Sequence, residues 1–243
     1  MAQVMLITGG SRGIGAATAR LAAERGYRLA INYVRDRNAA AALARETGGI
    51  AIGADVAAEA DVLRMFEEVD RKLGRLNVLV NNAGVVDRAA RVDEMTLARL
   101  NRMFAINVTG SFLCAREAVK RMSSRHGGSG GSIVNLSSVA ARIGAPGMYV
   151  DYAAAKAAID TMTLGLSKEV GGEGIRVNAV RPGVVLTEIH ASGGDPGRAE
   201  RIGASAPLGR AGDAAEIARA ILWLASDEAS YVSGAILDVA GGR

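Results

Sequence analysis

Several kinds of residue are scarce in this chain, and each scarcity excludes something. There is one cysteine, Cys114, in 243 residues. No internal disulfide can form from it, and a cysteine-built zinc centre is ruled out. With only two histidines, His126 and His190, a histidine-built metal site is also short of ligands, and no metal is expected. Aromatic residues make up 4%, so the core has to be assembled from Ala, Val, Ile and Leu. No apolar run reaches the roughly 18–20 residues that cross a bilayer. The opening stretch MAQVMLITGG has neither a basic segment nor a small-residue cleavage site, so no secretory leader is expected there. A reducing cytoplasm is the expected compartment. The 29 basic residues exceed the 25 acidic ones by only four, and they are interspersed with acids, as in RDRNAAAALARE. No basic stripe is visible for a nucleic-acid backbone, so neither nucleic acid nor membrane is an expected partner.

Apolar material is plentiful. Hydrophobic residues are 49% of the chain, enough for a sizeable core and too much for a disordered one. The length suits one large α/β domain over residues 1–243. Glycine is abundant at 31, against four prolines, a balance that favours tight turns near a ligand over linkers.

Short aliphatic runs alternate with longer helical stretches. Strands are expected at Val4–Ile7, Arg28–Asn32, Ile50–Gly53, Val78–Val80, Ser132–Leu136, Arg176–Val180 and Ile236–Val239. Helices are expected near Gly13–Arg25, Asn38–Glu46, Glu59–Leu73, Leu97–Met122, Asp151–Val170 and Asp213–Ala225. Runs such as Val78-Leu79-Val80 are apolar on both faces, which reads as a parallel sheet covered by helices on both sides. The regular β-α alternation predicts a doubly wound α/β fold with its ligands at the strands' C-terminal rim. Residues 181–207 are long, weakly patterned and hold three of the four prolines, so a substrate-covering loop is expected there.

Thr8-Gly9-Gly10-Ser11-Arg12-Gly13-Ile14-Gly15 follows the first strand and opens a helix. Glycine at 9, 13 and 15 serves a tight turn, a close approach to pyrophosphate and close packing of helix on strand. The helix start aims amide groups and a partial positive charge at phosphate. Further along come Asn81-Asn82-Ala83-Gly84, Ser137-Ser138, Tyr152-Ala153-Ala154-Ala155-Lys156 and Arg181-Pro182-Gly183. Together these motifs resemble those of the classical short-chain dehydrogenase/reductase family, over essentially the whole chain. The resemblance implies a single Rossmann-type domain with a seven-stranded parallel sheet. It implies a nicotinamide cofactor held by Gly9, Ser11, Arg12, Gly13, Ile14 and Gly15, then by Asn32, Tyr33 and Arg35 after the second strand. Asp55 and Val56 correspond to the family pair at the adenine, and Asn81, Ala83 and Gly84 to the stretch beside the adenosine ribose. Pro182, Gly183, Val184, Val185 and Thr187 correspond to residues around the nicotinamide carboxamide and pyrophosphate. Family members are usually tetramers, so a homotetramer is expected.

The end of the second strand selects the cofactor. An acid there bonds the ribose hydroxyls of NAD and repels the additional phosphate of NADP. Tyr33 occupies that position, eighteen residues after Gly15, and Arg35 and Arg12 offer cations on either side of it. A guanidinium fork suits a phosphate. NADP(H) is therefore expected, with NAD(H) as the alternative if Asp36 reaches the ribose.

Tyr152 and Lys156 lie four apart on a predicted helix and share a face. A free tyrosine titrates near 10, and a neighbouring ammonium is expected to lower that value. Tyr152 can then exchange a proton with a carbonyl or alcohol oxygen. Ser138 would hold the same oxygen. Asn107 sits awkwardly in mid-helix and matches the family asparagine of the proton relay. The gap from Ser138 to Tyr152 is fourteen residues, one longer than the commonest family spacing, which keeps Ser137 as an alternative. Pocket walls are expected from Ala140–Val150 and Val185–Pro207, with Arg142, Ile143, Met148, Tyr149 and Ile189 among them. The expected partner is a small carbonyl or alcohol. A 3-oxoacyl carrier-protein reductase, a sugar 1-dehydrogenase and a non-enzymatic NADP sensor are the other readings.

Overall fold

A computed structural model describes residues 2–188, 193–195 and 197–243. The two faces of its first strand, β1 (Val4–Ile7), set the plan of the molecule. Val4 and Leu6 enter one apolar cluster, Met5 and Ile7 the other. A strand buried on both sides in this way needs helices on both sides. They come from the alternation of β1, α1 (Gly13–Glu24), β2 (Arg28–Tyr33), α2 (Arg37–Thr47), β3 (Ile50–Gly53), α3 (Glu59–Leu73) and β4 (Leu76–Asn81). After β4 come α4 (Leu97–Phe104), α5 (Gly110–Met122), β5 (Gly131–Leu136), a short α6 (Ala140–Ile143), α7 (Val150–Val170) and β6 (Ile175–Pro182). The chain ends on β7 (Val185–Leu186), α8 (Arg198–Gly203), β8 (Gly212–Asp213), α9 (Ala214–Ala225) and β9 (Ile236–Val239).

The seven long strands form one parallel sheet in the order β3-β2-β1-β4-β5-β6-β9. Successive strands run outward from β1 to β3, and the chain then crosses back to β4 on the other side of β1. That reversal opens a crevice at the C-terminal ends of β1 and β4, the place where a sheet of this kind binds ligands. One cluster packs Val62, Phe66 and Val69 of α3 with Cys114 and Ala118 of α5. The other packs alanines of α1 and Leu43 of α2 with Ile217 and Ile221 of α9. The low aromatic content is visible in both: Phe66 is the one phenylalanine among them.

Every expected strand and helix is present, with two differences. The helix expected over Leu97–Met122 is interrupted by a five-residue π-helical turn, Ala105–Thr109. Residues 181–207 are not plain loop, because β7 pairs in parallel with β8 and α8 lies between them. In α9, Ile217, Ile221, Leu222 and Leu224 are fully buried by the sheet, and Trp223 alone of its large apolar residues projects outward. No helix among the described residues is long and apolar enough to cross a membrane.

Candidate active site

The crevice continues into a cleft of about 890 Å³ that runs from the glycine loop to the first turn of α7. Its glycine end is braced from two strands. The Thr8 hydroxyl accepts hydrogen bonds from the Asn82 and Ala83 amides, both at 3.0 Å. The Asn82 side chain donates to the Thr8 and Gly9 carbonyls at 2.8 and 2.9 Å. From β2, Asn32 Oδ1 accepts from the Gly9 amide at 3.1 Å. Gly9 and Gly13 have φ of +59° and +54°, a region that side chains disfavour. At Gly15 the constraint is space, since a Cβ would stand 2.7 Å from both Asn82 Nδ2 and the Gly9 carbonyl. Helix α1 begins at this loop with no capping side chain and no acid in its first turn. Its unpaired first-turn amides are an anion site in waiting.

Ser11, Arg12, Tyr33 and Arg35 line this end of the cleft, followed by Asp55 and Val56, then Ala83 and Gly84. The Tyr33 ring lies across Gly53. The carboxylate of Asp36 accepts from the Ala39 amide at 2.9 Å and caps α2, which turns it toward its own helix. The cradle fits a dinucleotide: glycines where a Cβ would obstruct, and an uncapped helix start for pyrophosphate.

Three of the expected cofactor residues stand behind the cleft. Asn32 is fully buried, and its Nδ2 is engaged by the Ala54 and Ile52 carbonyls at 2.9 and 3.3 Å. Gly15 is packed under Asn82. Asn81 faces into the sheet, donating to Asn135 Oδ1 at 3.0 Å, and Asn135 in turn donates to Thr163 of α7 at 2.9 Å. These residues shape the cradle without lining it. Asn82, their neighbour, does line it.

At the other end, β5 and α7 bring the chemistry-bearing residues together. Ser138, Tyr152 and Lys156 all line the cleft. The Ser138 hydroxyl accepts from the Ala140 amide at 3.1 Å and lines the cleft with Tyr152. Ser137 is buried and donates to the Lys156 carbonyl at 3.2 Å, so its hydroxyl is committed to α7. Lys156 is itself buried, and its Nζ donates to the Leu136 carbonyl at 2.6 Å while lying 5.6 Å from the Tyr152 ring centroid.

Burial pushes the Tyr152 phenol up to about 12, with the Ser138 hydrogen bond pulling more weakly the other way. This differs from the lowered value expected of a lysine neighbour. The ammonium is drawn onto a carbonyl, and desolvation outweighs it. Burial also moves Lys156 down to about 8, opposed by the charge of Asp160. Asn107 lies behind Gly84 in the π turn. Its Oδ1 accepts from the Val85 amide, and its Nδ2 donates to the Val85 and Met103 carbonyls, at 3.0–3.1 Å.

Pro182, Gly183, Val184, Val185 and Thr187 line the rim opposite, as do Ile143 and Tyr149. Arg142 points elsewhere, ion-paired with Asp238 of β9. Ile189 and His190 lie outside the described residues. Arg198 lines the cleft and was not singled out by its sequence context.

A glycine loop at the switch point, with a serine, tyrosine and lysine meeting at the far end of one cleft, is the arrangement of a nicotinamide-dependent oxidoreductase. The family model described as Enoyl-(Acyl carrier protein) reductase matches residues 9–243. The chain belongs to the short-chain dehydrogenase/reductase family and is an oxidoreductase. It is 54% identical over 245 residues to the uncharacterized oxidoreductase YgfF of Escherichia coli, covering 99% of each chain. It is 41% identical to a 3-oxoacyl-(acyl-carrier-protein) reductase of Bos taurus, covering 100% of this chain and 98% of that one. A solved Serratia marcescens short-chain dehydrogenase/reductase, a doubly substituted form, superposes with a TM-score of 0.90 at 34% identity, covering 99% of this chain and 97% of that one.

Proposed function

We propose that this chain, acting as one domain and in a homotetramer, interconverts a carbonyl and a secondary alcohol with NADP(H). The observation that carries the reading is one cleft with two ends. Ser138, Tyr152 and Lys156 meet at one end, and an uncapped helix start flanked by Arg12 and Arg35 forms the other. A nicotinamide dinucleotide bound there supplies or accepts the hydride. Gly9, Ser11, Gly13 and Ile14 would hold its pyrophosphate, and Arg12, Tyr33 and Arg35 the phosphate that distinguishes NADP. Asp55 and Val56 would face the adenine, Ala83 and Gly84 the ribose, and Pro182, Gly183, Val185 and Thr187 the nicotinamide.

The protein's part is to place the substrate oxygen and move its proton. A phenol held at about 12 carries its proton at neutral pH, so Tyr152 is set to donate to a carbonyl oxygen as the carbon is reduced. In the reverse direction it takes the proton from the alcohol. Ser138 holds the same oxygen by hydrogen bond. Lys156, charged below about pH 8, favours the phenolate that donation leaves behind. Asn107 fixes Gly84 and Val85 beside Lys156. The one buried thiol, Cys114, suits a reducing cytoplasm.

Replacing Tyr152 with Phe tests the assignment. The ring and its packing survive, and the proton donor is lost. Carbonyl reduction with NADPH should fall by about 10²–10⁴, with the NADPH dissociation constant held near the wild-type value. A variant that turns over at close to the wild-type rate would refute the role of Tyr152.

A further inference from the structure

The substrate end of the cleft holds a cation, Arg198, that is ion-paired with no carboxylate among the described residues. Arg198 opens α8, and its guanidinium carbon stands 4.9 Å from the centroid of the Tyr149 ring. Its Nη1 lies 3.8 Å from Met148 Sδ. Arg198 and Tyr149 both line the cleft that contains Ser138 and Tyr152. The acids of this rim are engaged with other arginines. Asp87 pairs with Arg102 at 3.6 Å, Asp195 with Arg201 at 2.5 Å, and Asp238 with Arg142 and Arg181. Glu188 lies beside Gly13 at the glycine loop. Among the described residues no carboxylate is within ion-pairing distance of Arg198.

An aromatic face orients a guanidinium without neutralising it. Held over Tyr149, with Nη1 also against Met148 Sδ, Arg198 lines the cleft with a planar guanidinium, a group whose fork matches a carboxylate by two parallel hydrogen bonds. Tyr149 is the N-cap of α7, three residues before Tyr152. The guanidinium and the reacting end therefore face one cleft, an arrangement that suits a substrate carrying a carboxylate apart from its carbonyl.

We propose that Arg198, held over the Tyr149 ring, receives a carboxylate of the substrate, so that this chain's preferred substrates are carbonyl acids and the corresponding hydroxy acids. The inference rests on the carbonyl–alcohol reading above and adds the chemical class. One planar fork matches one planar carboxylate, whereas a phosphate's further oxygen and charge call for more cations.

The test has a binding arm and a turnover arm, both on the full chain. In the first, benzoate and benzamide, which cannot be reduced, are titrated into the enzyme–NADP⁺ complex and followed by saturation-transfer NMR. Benzoate should bind at least about tenfold more tightly. Arg198→Gln should bring the ratio close to one, and Arg198→Lys, charged but without the fork, should retain part of it. In the second arm, kcat/KM is measured with NADPH for the ketone 4-acetylbenzoate and its methyl ester. The acid should be favoured by about tenfold or more in the wild type, and Arg198→Gln should abolish the preference. Equal binding of benzoate and benzamide by the wild type overturns the proposal. So does a ratio that survives in Arg198→Gln, or tighter binding of phenylphosphonate than of benzoate. Failure to oxidise NADPH with any carbonyl would count against the carbonyl–alcohol reading alone, because the benzoate ratio does not depend on turnover.

Discussion

Lys156 and Tyr152 show how burial sets a pH response. The ammonium is moved down to about 8 and the phenol up to about 12, each chiefly by desolvation. Between those values the lysine loses its charge while the tyrosine keeps its proton. Reduction of a carbonyl with NADPH should therefore be level below pH 7 and fall on one limb as pH passes about 8, following Lys156. Lys156→Met should be slow and lack that limb. A limb at the same pH in the variant would detach it from the lysine. Stability should move the opposite way. The folded lysine titrates below the unfolded one, so between about 8 and 10.5 the unfolded chain binds a proton that the folded chain does not. The contribution of Lys156 to stability thus rises with pH across that window, and the rise should be missing from thermal melts of Lys156→Met.

Cofactor choice also belongs to single residues. Arg12 and Arg35 line one end of the cleft, and Tyr33, the last residue of β2, lays its ring across Gly53. Two charge-assisted contacts, discounted for exposure, correspond to about tenfold to a few hundredfold preference for NADPH. Arg35→Ala should weaken NADPH and affect NADH little. Tyr33→Asp should invert the preference, because it adds repulsion as well as removing a neutral neighbour. Comparing kcat/KM for both cofactors across these forms decides the matter. A wild-type preference for NADH would sink it, and Asp36 could then serve only by giving up its cap on α2. The chemistry-bearing pair at 152 and 156 was legible in the sequence because helical spacing alone puts both on one face. The direction of the tyrosine's shift was not, because it depends on how deeply the cleft floor is enclosed.

Among the elements, the interrupted helix matters most to the site. The π turn at Ala105–Thr109 brings Asn107 inward, where it binds both polar groups of Val85. Such turns recur at functional sites because they swing one side chain out of helical register. Asn107 was recognisable as misplaced in a helix, whereas the turn that accommodates it was not, since its driving contacts come from residues 84 and 85. The strands were legible because both faces are apolar. Val4–Ile7, Ile50–Gly53 and Ile236–Val239 match in both ends, whereas the other four run one or two residues further, since pairing with neighbours extends them: β6 runs on to Pro182, opposite Val239. The two-residue strands β7 and β8 carry no pattern of their own and exist only through each other.

Gly84 tests this element. A Cβ there would stand 2.9 Å from Asn107 Oδ1 and 3.5 Å from Lys156 Nζ. Asn107 is held by three hydrogen bonds and has little room to give. Gly84→Ala should cost roughly 1–3 kcal/mol as overpacking. For a chain of this length that is about 2–4 °C in Tm per kcal/mol. Because the methyl that displaces Asn107 also comes into contact with Lys156 Nζ, kcat should drop by more than the Tm shift alone implies. A destabilised variant with an unchanged kcat would separate the π turn from the reaction.

At the scale of the whole molecule, the uncovered apolar surface predicts how copies assemble. On α4, α5 and α7 the side chains of Leu97, Phe104, Phe112, Val150 and Leu164 are all more than a third exposed. These helices lie on the same side of the sheet as the cluster around Phe66. A second exposed group, Trp223 of α9 and Tyr231 after it, lies on the side of the sheet opposite that cluster. Monomers seldom leave extended apolar patches open. Two self-complementary faces, each closing about its own two-fold axis, give a dimer of dimers. Light scattering at micromolar concentration should therefore return about four times the 25.0 kDa chain mass. Placing a charge on one face should stop assembly halfway. Phe112→Glu with Leu164→Glu should yield a dimer that still joins through Trp223. Trp223→Glu should yield the other dimer, and all three together a monomer. The side chains changed are exposed in the single chain, so its fold should survive and circular dichroism should be unaltered. A wild-type mass of one chain would end the claim, and a tetramer indifferent to both sets of substitutions would place its interfaces elsewhere.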